Sequence, residues 1–317
     1  MDKINSMKVE ERDLIILGSG PAGLAAALYA ARAELKPLLL TGMILHGQAS
    51  TTDTIENYPG FPEGVGGSEL GQLFQTQAER FGAEIVMDMA SSVDLLQRPF
   101  VVRTYSKEYL AKSLIISTGA SPKKLDVPGE KELTGRGVSY CGTCDGWFFK
   151  EKDIFVVGGG DSALEEGLFL TRFAKSVTII HRRDSLRAGA LLQKRAFANP
   201  KVKFIWDSVV TEIIGVDAVN AVRIKNLRTN QESIQNTSAV FATIGHRPNS
   251  DLFVDQLELD ELGYLVVDKY MRTNIPGVFA GGEIADPHYR QVITSAGMGA
   301  AAAIEATRYL ENLEGNE

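Results

Sequence analysis

Cysteine is nearly absent from this chain. Of its 317 residues only Cys141 and Cys144 carry thiols, and there are only four histidines. Two cysteines build no disulfide framework. With His46, His181, His246 and His288 scattered along the chain, they do not complete a four-ligand zinc site either. Long apolar runs are missing too: none reaches the ~18 residues a membrane helix needs. The charged start, Met1 to Asp13, lacks the apolar segment of a leader peptide. A cytoplasmic protein with no membrane partner is therefore expected. Positive charge is not in excess, since 33 basic residues against 40 acidic ones leave a net charge of −7. That balance argues against a nucleic-acid partner. A hydrophobic content of 44% and a charged content of 23% are those of globular proteins and exclude wholesale disorder. The length fits two domains of roughly 150 residues.

Glycine, by contrast, is plentiful, at 31 residues. With no Gly-X-Y period, the excess must serve turns and phosphate-binding loops. The apolar run 13–17 leads into Gly18-Ser19-Gly20-Pro21-Ala22-Gly23, then an alanine-rich helical stretch, 24–32, and a second apolar run, 36–41. This is the strand–turn–helix–strand opening of a doubly wound fold. The first glycine permits the tight turn, the second admits a pyrophosphate, and the third lets helix pack on strand. One element is absent. No Asp or Glu stands ~20 residues on to take a ribose hydroxyl; Thr41, Gly42 and Met43 are there instead.

The same pattern recurs. A strand at 154–157 precedes Gly158-Gly159-Gly160-Asp161-Ser162-Ala163, with a helix expected over 162–174 and a strand at 177–180. At the end of that strand stand His181, Arg182, Arg183 and Arg187. An acid there would select NAD, whereas arginines pair with a 2′-phosphate and so indicate NADPH. Polar, proline-containing segments at 121–124 and 245–249 flank this second unit. Short strands are expected at 264–267 and 278–280, and a final helix over 296–313. The fold class expected is α/β, with two doubly wound dinucleotide-binding domains, one inserted in the other. Residues 1–121 and 248–317 form the outer domain and 122–247 the inner one.

Both cysteines fall in one C-x-x-C, Cys141-Gly142-Thr143-Cys144, followed by Asp145. That spacing suits a reversible disulfide, and Asp145 is placed to exchange the proton that thiol–disulfide chemistry requires. Inert thiols would leave the pairing of the chain's only two cysteines unexplained. A nicotinamide coenzyme and a disulfide each handle two electrons, and a flavin is the usual mediator between them. FAD is therefore expected on the first turn.

Taken in order, these motifs resemble those of the low-molecular-weight thioredoxin reductases, from about residue 12 to 313. The resemblance rests on Gly18 to Gly23, Gly47-Gln48, Glu56-Asn57-Tyr58-Pro59-Gly60, Thr118-Gly119-Ala120, Cys141 to Gly146 and Gly158 to Ala163. It continues through His181 to Arg187, Gly245 to Asn249, and Tyr289-Arg290-Gln291 leading to Thr294-Ser295-Ala296-Gly297. It implies a homodimeric flavoenzyme that passes electrons from NADPH through FAD to a Cys141–Cys144 disulfide and on to oxidised thioredoxin. It makes Cys141 the interchange thiol, Cys144 the flavin-side thiol and Asp145 the acid. FAD would be held by Gly18, Ser19, Gly20, Pro21, Ala22, Gly23, Gln48, Asn57, Thr118, Gly119, Glu283, Arg290 and Gln291. NADPH would be held by Gly158, Gly160, Asp161, Ser162, Ala163, His181, Arg182, Arg183 and Arg187. It also implies rotation of the inner domain about the two flanking segments.

The chain departs from the family pattern in three places. Glu283 follows Gly282 where aspartate is common, keeping the charge one methylene further out. Trp147 and Phe148 replace a phenylalanine pair, as docking surface or as core. His46 stands where glycine is frequent and is expected to be a satisfied loop residue. Two other readings stand beside the main one: a flavin disulfide reductase serving another partner, and a non-catalytic flavin redox sensor.

Overall fold

A computed structural model of the chain describes residues 9–52 and 54–315. Residues 1–8, the first part of the charged start, lie outside them. The chain divides into two compact units, one of Met1–Ser121 with Arg247–Glu317, the other of Pro122–His246.

The first unit is built on a seven-stranded mixed sheet. Its parallel part runs in the order Glu84–Val86, Leu38–Leu40, Val9–Leu17, Glu108–Ile116. The far edge of Glu108–Ile116 is shared. Its first half pairs antiparallel with Phe100–Arg103, and its second half pairs parallel with Val278–Ala280. Leu14, Ile15, Ile16 and Leu17 are all buried, as are Leu38, Leu39 and Leu40. A parallel strand covered on both faces needs such continuous apolar runs rather than alternation. Truncating one of these leucines to alanine costs about 2–5 kcal/mol.

One face of this sheet is covered by Pro21–Arg32 and Val292–Glu314. The two helices meet through small residues: Ala26, Ala27 and Ala30 on one, Ala302, Ala303 and Ala306 on the other, all fully buried. The last helix begins at Val292, earlier than the expected 296, because Gln291 and Thr294 form a reciprocal capping box. The other face carries a separate core that includes Phe100, Tyr109, Leu114 and Phe253.

The second unit repeats the plan with a five-stranded parallel sheet, in the order Val202–Ile205, Ser176–Ile180, Asp153–Val157, Ala239–Ala242, Val138–Ser139. An antiparallel three-stranded meander, Ser208–Gly215, Val219–Asn226 and Glu232–Asn236, packs against one face through Val210, Ile213, Val222 and Ile224. Each unit thus has the parallel α/β core of a dinucleotide-binding domain.

Three local expectations need correction. The helix expected over 162–174 ends at Leu170, where the chain tightens into turns that close on Phe169 and Leu170. The segment 264–267 is not a strand. Leu265 makes a single bridge to Leu259, and its N–H goes to Ile284 O. The first strand begins at Val9, because its N-terminal half gains a partner in residues 108–111.

Candidate active site

In the first unit, Gly18 to Gly23 link the first strand to the first helix. Gly18 has φ +106°, and a Cβ on it would lie 2.4 Å from Ser117 O; one on Gly23 would lie 1.9 Å from Gly18 O. The turn is therefore tightened until only glycine fits. Gly20, at the helix N-cap, has open space where its Cβ would be. The helix has no side-chain cap and no acid in its first turn. Its N–H groups are thus left for an anion, and the residues present fit a dinucleotide pyrophosphate.

Some of the other expected residues lie against this turn, and others pair with one another. Gly47 lies against it, with a Cβ placed only 2.8 Å from Gly20 Cα. Gln48 beside it donates to Ala120 O. Asn57 Nδ2 donates to Gln291 Oε1 at 3.0 Å, joining two segments far apart in sequence. Gly282 approaches Ala22, and Glu283 follows it. Burial pushes the Glu283 carboxyl up to about 7, against the opposing charge of Arg290. Ser19 uses its hydroxyl internally, donating to Thr41 O and accepting from His46 N–H. Thr118 Oγ1 donates to Asn249 O, and Asn249 Nδ2 returns a bond to Thr118 O. Gly119 has open space at its Cβ position. His46 is buried and satisfied, its Nε2 2.8 Å from Gln75 Oε1.

In the second unit, Gly158 to Ala163 occupy the equivalent turn before the helix Asp161–Leu170, which also lacks a side-chain cap. Asp161 Oδ1 accepts from Gly189 N–H at 2.7 Å, and Ser162 beside it is half-buried. His181 is buried against Gly159, and its Nε2 has no hydrogen-bond partner among the described residues. Burial, then the Arg187 charge, hold its pKa below the usual 6.5, so it is neutral at pH 7. Arg187 N–H bonds Gly159 O at 2.7 Å, and its Nη2 lies 4.0 Å from where a Gly160 Cβ would be. Arg182, Arg183 and Arg187 are exposed and form no ion pair among the described residues. Three free guanidinium groups beside a glycine turn suit a phosphate ester.

Cys141 and Cys144 form a disulfide. Cys141 is the N-cap of the helical turn Gly142–Asp145, and its Sγ accepts from Cys144 N–H at 3.2 Å. An N–H donor at a helix N-terminus favours a thiolate on that sulfur. The helix Asp161–Leu170 supports this turn from below. Glu166 Oε2 accepts from Gly142 N–H at 2.8 Å, and Gly146 packs on Leu170. One helix thus carries the second glycine turn at its start and braces the disulfide further along. Asp145 Oδ2 accepts from Ser139 Oγ at 2.6 Å. Trp147 and Phe148 are each 49% exposed, with Lys150 over the Trp147 ring.

Sequence reasoning missed Ser139 and Glu166, which no motif marks. It also missed Asp286, whose carboxylate accepts from the N–H groups of His288, Tyr289 and Arg290 and so shapes the segment before the last helix. An Asp-Pro turn signal could have found it.

The family model for pyridine nucleotide-disulphide oxidoreductases matches residues 12–299. The thioredoxin reductase of Streptomyces coelicolor is 50% identical over 305 residues, which is 95% of each chain. That of Rickettsia felis is 50% identical over 309 residues, covering 96% of this chain and 99% of the relative. The crystal structure of thioredoxin reductase from Streptococcus pyogenes, at 45% identity, superposes with a TM-score of 0.90 over 95% of this chain and 99% of that one.

Proposed function

Because this chain belongs to the thioredoxin reductases among the pyridine nucleotide-disulphide oxidoreductases, we propose that it reduces thioredoxin with electrons from NADPH through FAD, leaving by Cys141 and Cys144. The unit Met1–Ser121 with Arg247–Glu317 holds FAD, and Pro122–His246 holds NADPH. When bound, FAD supplies the two-electron link between a hydride donor and a disulfide. The helix N-terminus at Gly20 takes its pyrophosphate, with Gln48, Asn57, Thr118, Gly119, Glu283, Arg290 and Gln291 around it. Arg182, Arg183 and Arg187 clamp the 2′-phosphate that distinguishes NADPH.

The carrying observation is a disulfide whose first sulfur caps a helical turn and whose second is followed by a held carboxyl group. In the reduced dithiol, Cys141 at the N-cap is the better thiolate and attacks one sulfur of the substrate disulfide. That S–S bond breaks and the departing sulfur takes a proton, with Asp145 as carrier. Cys144, having lost its proton, then attacks Cys141 Sγ and frees the second substrate sulfur. Two electrons and two protons pass to the substrate, and the Cys141–Cys144 bond is restored. The exposed Trp147 and Phe148 offer an aromatic surface beside this exit for a protein substrate. The reading carries with it a homodimer and a cytoplasmic location; no helix of the described residues is long and apolar enough to cross a membrane.

The test is a flavin spectrum followed by coenzyme oxidation with oxidised thioredoxin. NADPH consumption should depend on thioredoxin and exceed that of NADH. Cys141→Ser and Cys144→Ser should each keep flavin reduction by NADPH and lose transfer to thioredoxin. Absence of thioredoxin-dependent NADPH oxidation would overturn the proposal.

A further inference from the structure

Asp145 is held by a residue that stands outside every motif. Ser139 ends the short edge strand Val138–Ser139 and is only 5% exposed. Its hydroxyl lies among three polar atoms. Oγ donates to Asp145 Oδ2 at 2.6 Å, accepts from Cys141 N–H at 3.1 Å, and reaches Cys141 O at 3.3 Å. A hydroxyl has one proton and two lone pairs, and these three neighbours can use all of them. With Asp145 ionised, the Ser139 proton lies on the carboxylate, at the short distance of a charge-assisted bond. With Asp145 protonated, the carboxyl becomes the donor to Ser139 Oγ, and the Ser139 proton turns to Cys141 O. The Cys141 N–H keeps its lone pair in both states. Neither state needs a heavy atom to move.

We propose that Ser139 is a positioning residue for proton transfer in thiol–disulfide exchange, satisfying Asp145 in both protonation states while tying it to the backbone of Cys141. This rests on the reading of Asp145 as the acid. In each of the two exchange steps a departing sulfur takes a proton, and the carrier must be reloaded from the thiols that are losing theirs. A carboxyl group with a hydrogen-bond partner in only one state would be stabilised in that state and would resist turnover. Ser139 gives Asp145 a partner in both states, the bond to the charged form being the stronger, without giving Asp145 freedom to swing away.

The charged surroundings of Asp145 are otherwise fixed by neighbouring elements. Glu166, on the helix packed against the Cys141 turn, is engaged with Gly142 N–H, and Asp161 and Glu165 are the other carboxylates of that helix. Lys150 follows the next turn and sits over Trp147. Tyr140 bonds Glu130 at 3.0 Å and stays neutral, its hydroxyl pushed up to about 12 by burial. The strand Ala239–Ala242 beside Ser139 carries no charge.

The experiment follows the pH dependence of thioredoxin reduction by the pre-reduced, flavin-loaded enzyme, with rapid mixing. The parent is compared with Ser139→Ala, Ser139→Thr, Asp145→Asn and the Ser139→Ala/Asp145→Asn pair. Losing the donor to the charged form outweighs losing the acceptor to the neutral one. Ser139→Ala should therefore raise the apparent pKa of the Asp145-dependent limb by about 1 unit. Ser139→Thr, which keeps the hydroxyl, should hold the limb in place. In the Asp145→Asn background, Ser139→Ala should add no further change. If Ser139→Ala does not fold, a limb displaced in Ser139→Thr refutes the proposal and an unmoved one upholds it. The proposal also falls if Ser139→Ala leaves the limb where it was, or slows exchange equally with and without Asp145. A limb that survives Asp145→Asn would overturn the assignment of the acid itself, which distinguishes that failure from a failure of Ser139 alone.

Discussion

Replacing Gly299 with alanine would set a methyl group inside the crossing of two helices. Gly299 lies on Val292–Glu314, and a Cβ built there falls 1.9 Å from Ala22 O, 2.6 Å from Ala22 C and 2.8 Å from Ala22 Cα. All three are backbone atoms of the first helix, so no side-chain rotation relieves the clash. To restore even 3.0 Å the helices must part by about 1 Å. That separation would open the contacts of Ala26, Ala27 and Ala30 with the last helix. It would also disturb Ala22, which sits in the first glycine turn and already meets Gly282 closely. Overpacking costs about 1–3 kcal/mol, and a backbone clash belongs at the upper end. For a chain of this size about 3 kcal/mol corresponds to a fall in Tm of roughly 5–10 °C. The assay is thermal unfolding of the flavin-free protein, with the flavin-to-protein absorbance ratio measured on the purified holoenzyme. Gly297→Ala is the control, since a Cβ there meets nothing within 4 Å. It should leave Tm unchanged or slightly raised, because alanine is the better helix former. If Gly299→Ala matched it in Tm and kept a full complement of flavin, the helix crossing would not depend on the missing side chain.

Other outcomes follow from the same geometry. Glu283 titrates at about 7 in the folded chain against an ordinary 4.5, so the folded state holds a proton that the unfolded chain releases. Stability of the flavin-free protein should therefore fall as pH rises from 4.5 through 7, by about 3 kcal/mol in all. Glu283→Gln should flatten that fall, as read from denaturant midpoints at pH 5 and pH 8; an unchanged slope would place the dependence elsewhere. Arg183→Gln or Arg187→Gln should raise KM for NADPH by about 10- to 100-fold, the value of a charge-assisted bond to phosphate, and leave KM for NADH nearly unchanged. Equal losses with both coenzymes would remove the 2′-phosphate from the account.

The two nucleotide turns and the C-x-x-C were legible because each is a local statement. A strand, a tight glycine turn and a helix follow one another within thirty residues or so, and their hydrogen bonds and sterics are set by neighbours in the chain. The reciprocal cap that starts the last helix at Val292 is local too, but Gln291 and Thr294 depart from the common capping-box residues and gave no clear signal. The apolar segment 264–267 misled because its pattern is that of a strand, while the hydrogen-bond partners it met belong to loops. The antiparallel meander of the second unit was missed for the opposite reason. Its strands alternate weakly, and Glu232–Asn236 is exposed throughout, so no periodic signal marks it.

By itself the sequence determined the number of dinucleotide turns, the cluster of Arg182, Arg183 and Arg187 at the end of the strand that follows the second turn, and the pairing of the only two cysteines. Covalent proximity is enough to specify all three. Tertiary structure alone decided which edge of Glu108–Ile116 each partner takes, how near Gly299 comes to Ala22, and that Glu166 braces the Cys141 turn. Those depend on close packing between segments remote in sequence, where a side chain is chosen for the space and partners it meets rather than for the residues beside it.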